Sequence, residues 1–227
     1  MSCKKIIAKL QSLYQYIMNL ARRKRVNSLK LYKFRSLQNF EYTADIILKN
    51  RLYAADFETM NDIMEGIFYH EGIVEDILER IKDAKSKLKI CSMSGEVAFS
   101  SPLMWAHYAD SFKGVCLEFE IDESEVEVKE IIYEGDSVLT LREDVTSITE
   151  EEAKILLCKK YPDWKYEEEY RIFSRDEHVE DGVELKKIYL GERISETNKE
   201  LIKKIVPEGV EVIDTDFDKR GRIIIKE

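Results

Sequence analysis

Trp164-Lys165-Tyr166-Glu167-Glu168-Glu169-Tyr170-Arg171 reads as a β-strand late in the chain. Side chains alternate faces along a strand, so Glu167, Glu169 and Arg171 project to one side. Tyr166, Glu168 and Tyr170 project to the other. Two carboxylates this close couple electrostatically, and one of them can acquire a raised pKa. Such a pair suits proton transfer or the stabilisation of a developing positive charge. The plainer reading is an exposed strand whose glutamates pair with Arg171 or nearby lysines.

Outward from this motif, short strands alternate with helices. Leu31–Arg35 and Arg51–Ala55 read as strands, and Ser36 can cap a helix between them that runs to about Leu48. A helix over Phe68–Leu88 precedes a strand at Lys89–Met93. Pro102 opens a helix through Phe112, and Gly114 introduces a strand at Val115–Ile121, which a strand near Val126–Tyr133 can pair. Thr149 and Glu152 have capping-box spacing for a helix to about Tyr161. After the glutamate motif come strands near 183–190, 210–214 and 221–226, with a helix near 196–206. The fold class is α+β, with mixed, mainly antiparallel sheets and flanking helices.

Twelve Tyr, nine Phe and two Trp, with 44% hydrophobic residues, supply a full core for a chain of 227 residues. Nine Gly and three Pro leave little room for low-complexity tracts. Cys3, Cys91, Cys116 and Cys158 lack CxxC spacing, and His70, His107 and His178 lie far apart. Neither set suggests a metal centre, so no metal is expected, and with no secretory signal the expectation is a cytoplasmic protein with reduced thiols.

The net charge of −9 is unevenly spread. Residues 1–35 hold ten Lys or Arg and no acid, so the remainder carries −19. Within this arm, Ile6, Leu10, Leu13, Ile17 and Leu20 recur at helical spacing over Lys4–Arg25. The division is a basic amphipathic helix over 1–28 and one α+β domain over 29–227. The helix is too interrupted to span a membrane. It is suited to contact a dimer mate, another partner or nucleic acid.

Four blocks together resemble a known family. They are Leu31–Leu37; Arg51–Phe57 with Asn61-Asp62 and Glu65-Gly66; Leu103-Met104-Trp105-Ala106-His107-Tyr108-Ala109-Asp110 with Lys113–Cys116; and Trp164–Arg171. In this order they are similar to the bacterial family called domain of unknown function 2971, over roughly residues 29–190. Ala54-Ala55-Asp56 and Ile63 depart from its usual pattern, where Ser-Pro and a proline are common.

The order of an early arginine on a strand, a central serine- and tyrosine-bearing segment and a late Glu-x-Glu is similar to that of ADP-ribosyltransferases. That resemblance implies NAD as co-substrate and transfer of ADP-ribose to an unknown acceptor, protein or nucleic acid, in a bacterial defence or toxin system. Arg35 would hold the pyrophosphate. Tyr32, Tyr53 or Tyr108 would stack on nicotinamide or adenine, with Ser94 and Arg171 also in the binding set. Glu169 would bond a ribose hydroxyl and stabilise the oxocarbenium-like transition state, and Glu167 would orient or deprotonate the acceptor. Trp105, His107, Asn61 and Asp62 would support the site. Without a GxGxxG element, a Rossmann route to NAD is excluded.

Two other readings stand beside this one. A non-enzymatic sensor or interaction module would use Glu167, Glu169 and Arg171 as a buried structural network. A metal-dependent nuclease would use Asp122, Glu127 and Lys129.

Overall fold

The computed structural model describes residues 28–60, 75–133, 149–219 and 221–226. The expected N-terminal helix and the pair Asn61-Asp62 lie outside these residues. In chain order the elements are β1 (Ser28–Arg35), α1 (Phe40–Lys49), β2 (Leu52–Tyr53), β3 (Ala55–Asp56), α2 (Glu75–Ser86), β4 (Lys89–Ser94), α3 (Glu96–Phe99), α4 (Pro102–Tyr108), β5 (Val115–Asp122), β6 (Glu127–Glu130) and β7 (Ile132–Tyr133). They continue as α5 (Glu150–Leu156), β8 (Lys159–Lys160), a 3-10 helix (Pro162–Glu167), β9 (Glu169–Ser174), β10 (His178–Val179), β11 (Val183–Leu190), α6 (Glu196–Ile205), β12 (Glu211–Phe217) and β13 (Ile223–Ile225).

The main sheet runs β13-β12-β11-β5-β1-β4-β9-β6, with β3 added beside β4. Only the β11–β12 pair in it is parallel. The α+β expectation holds, with a mixed, mostly antiparallel sheet.

Strand β5 reads Val-Cys-Leu-Glu-Phe-Glu-Ile-Asp and is buried on both faces, and strand alternation sorts its side chains. Val115, Leu117, Phe119 and Ile121 join a core with Leu31, Ile188, Ile47 of α1 and Ile202 of α6. Cys116 joins the opposite core with Tyr32, Phe34, Tyr189 and Trp105 of α4. Helices therefore cover both faces of the central strands. A third cluster packs Leu88, Ile90 and Phe173 against Ala153 and Leu157.

Local chemistry sets several boundaries. Asn50 adopts the left-handed conformation at φ 48° and ends α1. Its amide then donates to Val183 O at 2.7 Å and accepts from Leu185 N at 2.8 Å, tying the helix end to β11. Thr149 and Glu152 form the expected capping box, but α5 stops at Leu156, well before Tyr161. Helix α4 stops at Tyr108, short of Phe112, because Asp110, Ser111 and Phe112 all have positive φ. Helix α1 begins at Phe40, and Ser36 accepts from Gln38 N in the preceding turn without capping it.

One pairing and one break in a strand correct the sequence reading. Strand β6 does not return against β5; it pairs with β9 at the far side of the sheet. The stretch 164–171 is not one strand. Pro162 opens a 3-10 helix ending at Glu167, Glu168 sits at φ 43°, and strand β9 begins only at Glu169.

Candidate functional site

The site lies where the sheet divides. Strands β1 and β4 share one register pair, Tyr32 opposite Ser94. Beyond that point β1 follows β5, while β4 follows β9 and β3. Between the separating strands opens a cleft of about 940 Å³, within the roughly 300–1,000 Å³ range of small-molecule sites. Lys33 and Arg35 of β1 and Ser92 and Ser94 of β4 face it. Met104 and Tyr108 of α4 close one side, and Tyr42, Tyr53 and His178 stand toward another.

Glu167 and Glu169 reach this cleft together, although not by strand alternation. The left-handed turn at Glu168 reverses the chain between them. Glu168 itself points to α3, accepting from Val97 N at 2.7 Å and Ala98 N at 3.2 Å. Its carbonyl accepts from Gly95 N at 2.8 Å. A Cβ on Gly95 would sit 2.4 Å from the Glu168 carboxyl carbon and would push that side chain off its contacts with α3.

One ammonium joins the two carboxylates. Lys160 Nζ lies 2.7 Å from Glu167 Oε2 and 2.9 Å from Glu169 Oε2, and all three side chains are buried. Arg171 is fully buried and holds Glu169 through Nε at 2.9 Å and Nη2 at 3.3 Å, while its Nη1 donates to Leu157 O. Tyr108 donates its hydroxyl hydrogen to Glu167 Oε1, and the Tyr133 hydroxyl oxygen accepts from Glu169 N at 2.7 Å. The Lys160 ammonium also lies over the Trp164 ring, 5.2 Å from its centroid.

These contacts decide protonation. Burial pushes the Glu169 carboxyl up, but Arg171 and Lys160, with hydrogen bonds from Arg171 and Ser92, outweigh it and hold the pKa at about 2. Glu169 is therefore an anion at neutral pH. Burial and Glu167 push the Tyr108 phenol up, so it stays protonated and donates. Burial, chiefly, raises Tyr133 to about 12.

Arg35 is the contrasting group. It lines the cleft, yet its buried Nε has no hydrogen-bond partner among the described residues. Burial lowers its pKa, and no carboxylate contributes to the shift.

Of the residues singled out from sequence, the cleft gathers Arg35, Tyr53, Ser94, Tyr108, Glu167 and Glu169. Arg171 sits behind it. Tyr32 is turned away from Arg35; it shares the face of its register partner Ser94 but packs against Phe99 and Tyr189 and does not line the cleft. Trp105 is buried there too, donating to Phe99 O at 2.8 Å and meeting Phe34 edge-on. His107 is exposed beside Tyr108 and Tyr166 and does not line the cleft. Strand alternation separates Tyr32 from Arg35, since residues 32 and 35 face opposite ways, while the register puts Tyr32 on the face of Ser94 and Glu169. The sequence reading missed Lys160, Lys33 and Trp164, all of which line the cleft.

The nuclease set lies elsewhere. Asp122 accepts from Ser124 N at 3.0 Å, Glu127 pairs with Lys154 at 2.6 Å and Lys129 with Glu151 at 2.7 Å. Among the described residues, no cluster of three or more His, Cys, Asp or Glu could hold a metal ion, and no helix is long and apolar enough to cross a membrane.

Residues 104–172 match the model of a family described as Protein of unknown function (DUF2971). The match includes the Trp105–His107–Tyr108 helix and the Glu167–Arg171 motif. The earlier blocks around Arg35 and Tyr53 lie outside it. Comparison with curated proteins and with solved structures gives no match.

Proposed function

We propose that this chain, a member of the DUF2971 family over residues 104–172, is an ADP-ribosyltransferase-like enzyme that binds NAD in the cleft between β1 and β4. The observation that carries this reading is the Arg35 guanidinium, desolvated in the cleft wall with its Nε unpartnered among the described residues. A half-buried guanidinium with a buried, unpaired donor carries a desolvation cost, and an anionic ligand offsets it. The carboxylates nearby cannot serve, because Lys160 and Arg171 already neutralise Glu167 and Glu169. The cleft wall is balanced in formal charge, with Lys33, Arg35, Arg51 and Lys160 against Glu41, Asp45, Glu167 and Glu169, so it is the unpaired donor of Arg35 that distinguishes it as the place for a pyrophosphate.

The sheet order supports the same reading. Arg35, Ser94 and Glu169 stand on three neighbouring strands, β1, β4 and β9, and Ser94 is directly opposite Glu169. With the pyrophosphate on Arg35, Tyr53 or Tyr108 stacks on a ring of the dinucleotide. The bond between ribose C1′ and the nicotinamide nitrogen breaks, and its electron pair neutralises the departing pyridinium. Glu169, held as an anion, accepts from a ribose hydroxyl and stabilises the positive charge developing on C1′. A nucleophile of the acceptor then bonds to C1′ and gives its proton to Glu167. The acceptor is a protein or nucleic acid, and a bacterial defence or toxin system is the setting.

The test is release of nicotinamide from NAD by the purified chain, with and without candidate acceptors. Release is expected from the wild type and not from Glu169→Gln. An unchanged rate in Glu169→Gln sinks the assignment of Glu169. One observation favours a second reading, a ligand-binding sensor without turnover: both glutamates are buried and already paired. Saturable NAD binding without nicotinamide release would select the sensor over the transferase.

A further inference from the structure

We infer that Lys160 is the positioning residue of this cleft, a single ammonium that clamps Glu167 and Glu169 side by side and fixes the direction in which their remaining lone pairs meet a ligand. The inference rests on the reading of the cleft as a dinucleotide site that uses both carboxylates.

The geometry leaves Lys160 a defined task. Its nitrogen reaches one oxygen from each glutamate, at 2.7 and 2.9 Å, and both are the Oε2 atoms. The Oε1 atoms go elsewhere: Glu167 Oε1 accepts from Tyr108, and Glu169 Oε1 from Arg171 Nε. Each carboxylate is thus gripped at both ends, which fixes its plane. Lys160 is the group common to both. Without it, two buried carboxylates would face each other with Arg171 bound to only one of them, and like charge disfavours ionising both.

The other groups around the pair cannot replace it. The 3-10 helix brings Tyr166, β7 brings Tyr133 and α4 brings Tyr108, all phenols whose pKa values are pushed up. Strand β4 brings Ser92, and Cys158 stands beside β8 with its thiol raised to about 11 by burial. Arg171 and Lys160 are the cations that bear on Glu169. The backbone holds Lys160 in place through the pairing of β8 with β7, which sets Lys160 opposite Tyr133. Its position over Trp164 fixes the ammonium from the cleft side.

The experiment is a carboxyl titration of Glu167 and Glu169 in full-length chain labelled with ¹³C at the glutamate carboxyls, followed by NMR, for wild type, Lys160→Met, Lys160→Gln and Lys160→Arg. In wild type the Glu169 carboxyl takes up no proton between pH 5 and 8. In Lys160→Met and Lys160→Gln one carboxyl titrates higher by about one pH unit or more. Lys160→Arg restores the wild-type titration, because a guanidinium can bridge two carboxylates. Should the methionine variant not fold, the glutamine variant, which keeps a hydrogen-bond donor without charge, gives the same reading. Wild-type titration in either uncharged variant overturns the inference.

The NAD reaction separates the two ideas. If wild type releases nicotinamide, the acid limb of its pH profile moves up in Lys160→Gln and returns in Lys160→Arg, whereas a purely structural lysine would lower the rate evenly across pH. If wild type releases none while the titrations shift as described, the transferase reading fails and the clamp stands.

Discussion

Two buried carboxylates on one face of the sheet, joined by the register Glu118–Tyr32–Ser94–Glu169, are kept in different ways. Glu118, on β5, lies under the aromatic cluster, where the Tyr189 hydroxyl donates to its Oε2 at 2.7 Å and Tyr32 hydrogen-bonds it as well. Glu169, on β9, lies at the cleft and is held by the Arg171 guanidinium and the Lys160 ammonium. Neutral phenols suffice in a closed core, where no ligand arrives. At the cleft, full cationic pairing holds the carboxylate ionised and aligned, while Arg35 a few strands away has an unfilled Nε. The difference teaches that burial alone does not mark a site. What marks it is a donor left without a partner among the described residues beside open volume.

This contrast can be broken at several points. Arg171→Leu strands Glu169 beside a single cation and leaves Leu157 O without its donor, so unfolding stability in urea should fall by about 3–5 kcal/mol. Glu118→Gln, inside the closed aromatic cluster, keeps a hydrogen-bonding group toward Tyr189 and should cost only about 1 kcal/mol. Equal losses would erase the distinction between the two environments.

Arg35→Ala should weaken NAD binding by about 1.5–3 kcal/mol, roughly 10- to 150-fold by calorimetry, while leaving the urea midpoint nearly unchanged. A large loss of stability would mean that Arg35 serves the fold. Acid gives a finer probe. Because the Glu169 pKa is depressed from 4.5 to about 2 on folding, its contribution is complete above pH 4.5 and drains away as pH falls toward 2. Stability measured down that range should show a slope that Glu169→Gln removes. His107→Ala should have the smallest effect, within about 0.5 kcal/mol in stability, since the ring is exposed and outside the cleft.

Much of the fold was legible because strand and helix signals were local. The Thr149–Glu152 box and the buried strand at Val115 needed no tertiary information. Where the sequence misled, distant partners had decided the outcome. The stretch 164–171 reads as alternation, yet Pro162 and the left-handed Glu168 break it, and the two glutamates meet through a turn. Strand β6 follows β5 so closely that a hairpin was the natural reading, but the β9 edge captured it. Lys160 carried no signal in the sequence. Seven residues before Glu167 on a two-residue strand, it acquires meaning only when β8 pairs with β7.

The most direct test of the dinucleotide reading is crystallographic, with crystals of the full-length chain soaked in NAD or a non-hydrolysable analogue. Density for a dinucleotide spanning from Arg35 to Glu169, with its pyrophosphate on the Arg35 guanidinium, is the expected result. An empty cleft at saturating NAD, or a dinucleotide bound away from Arg35, would contradict it.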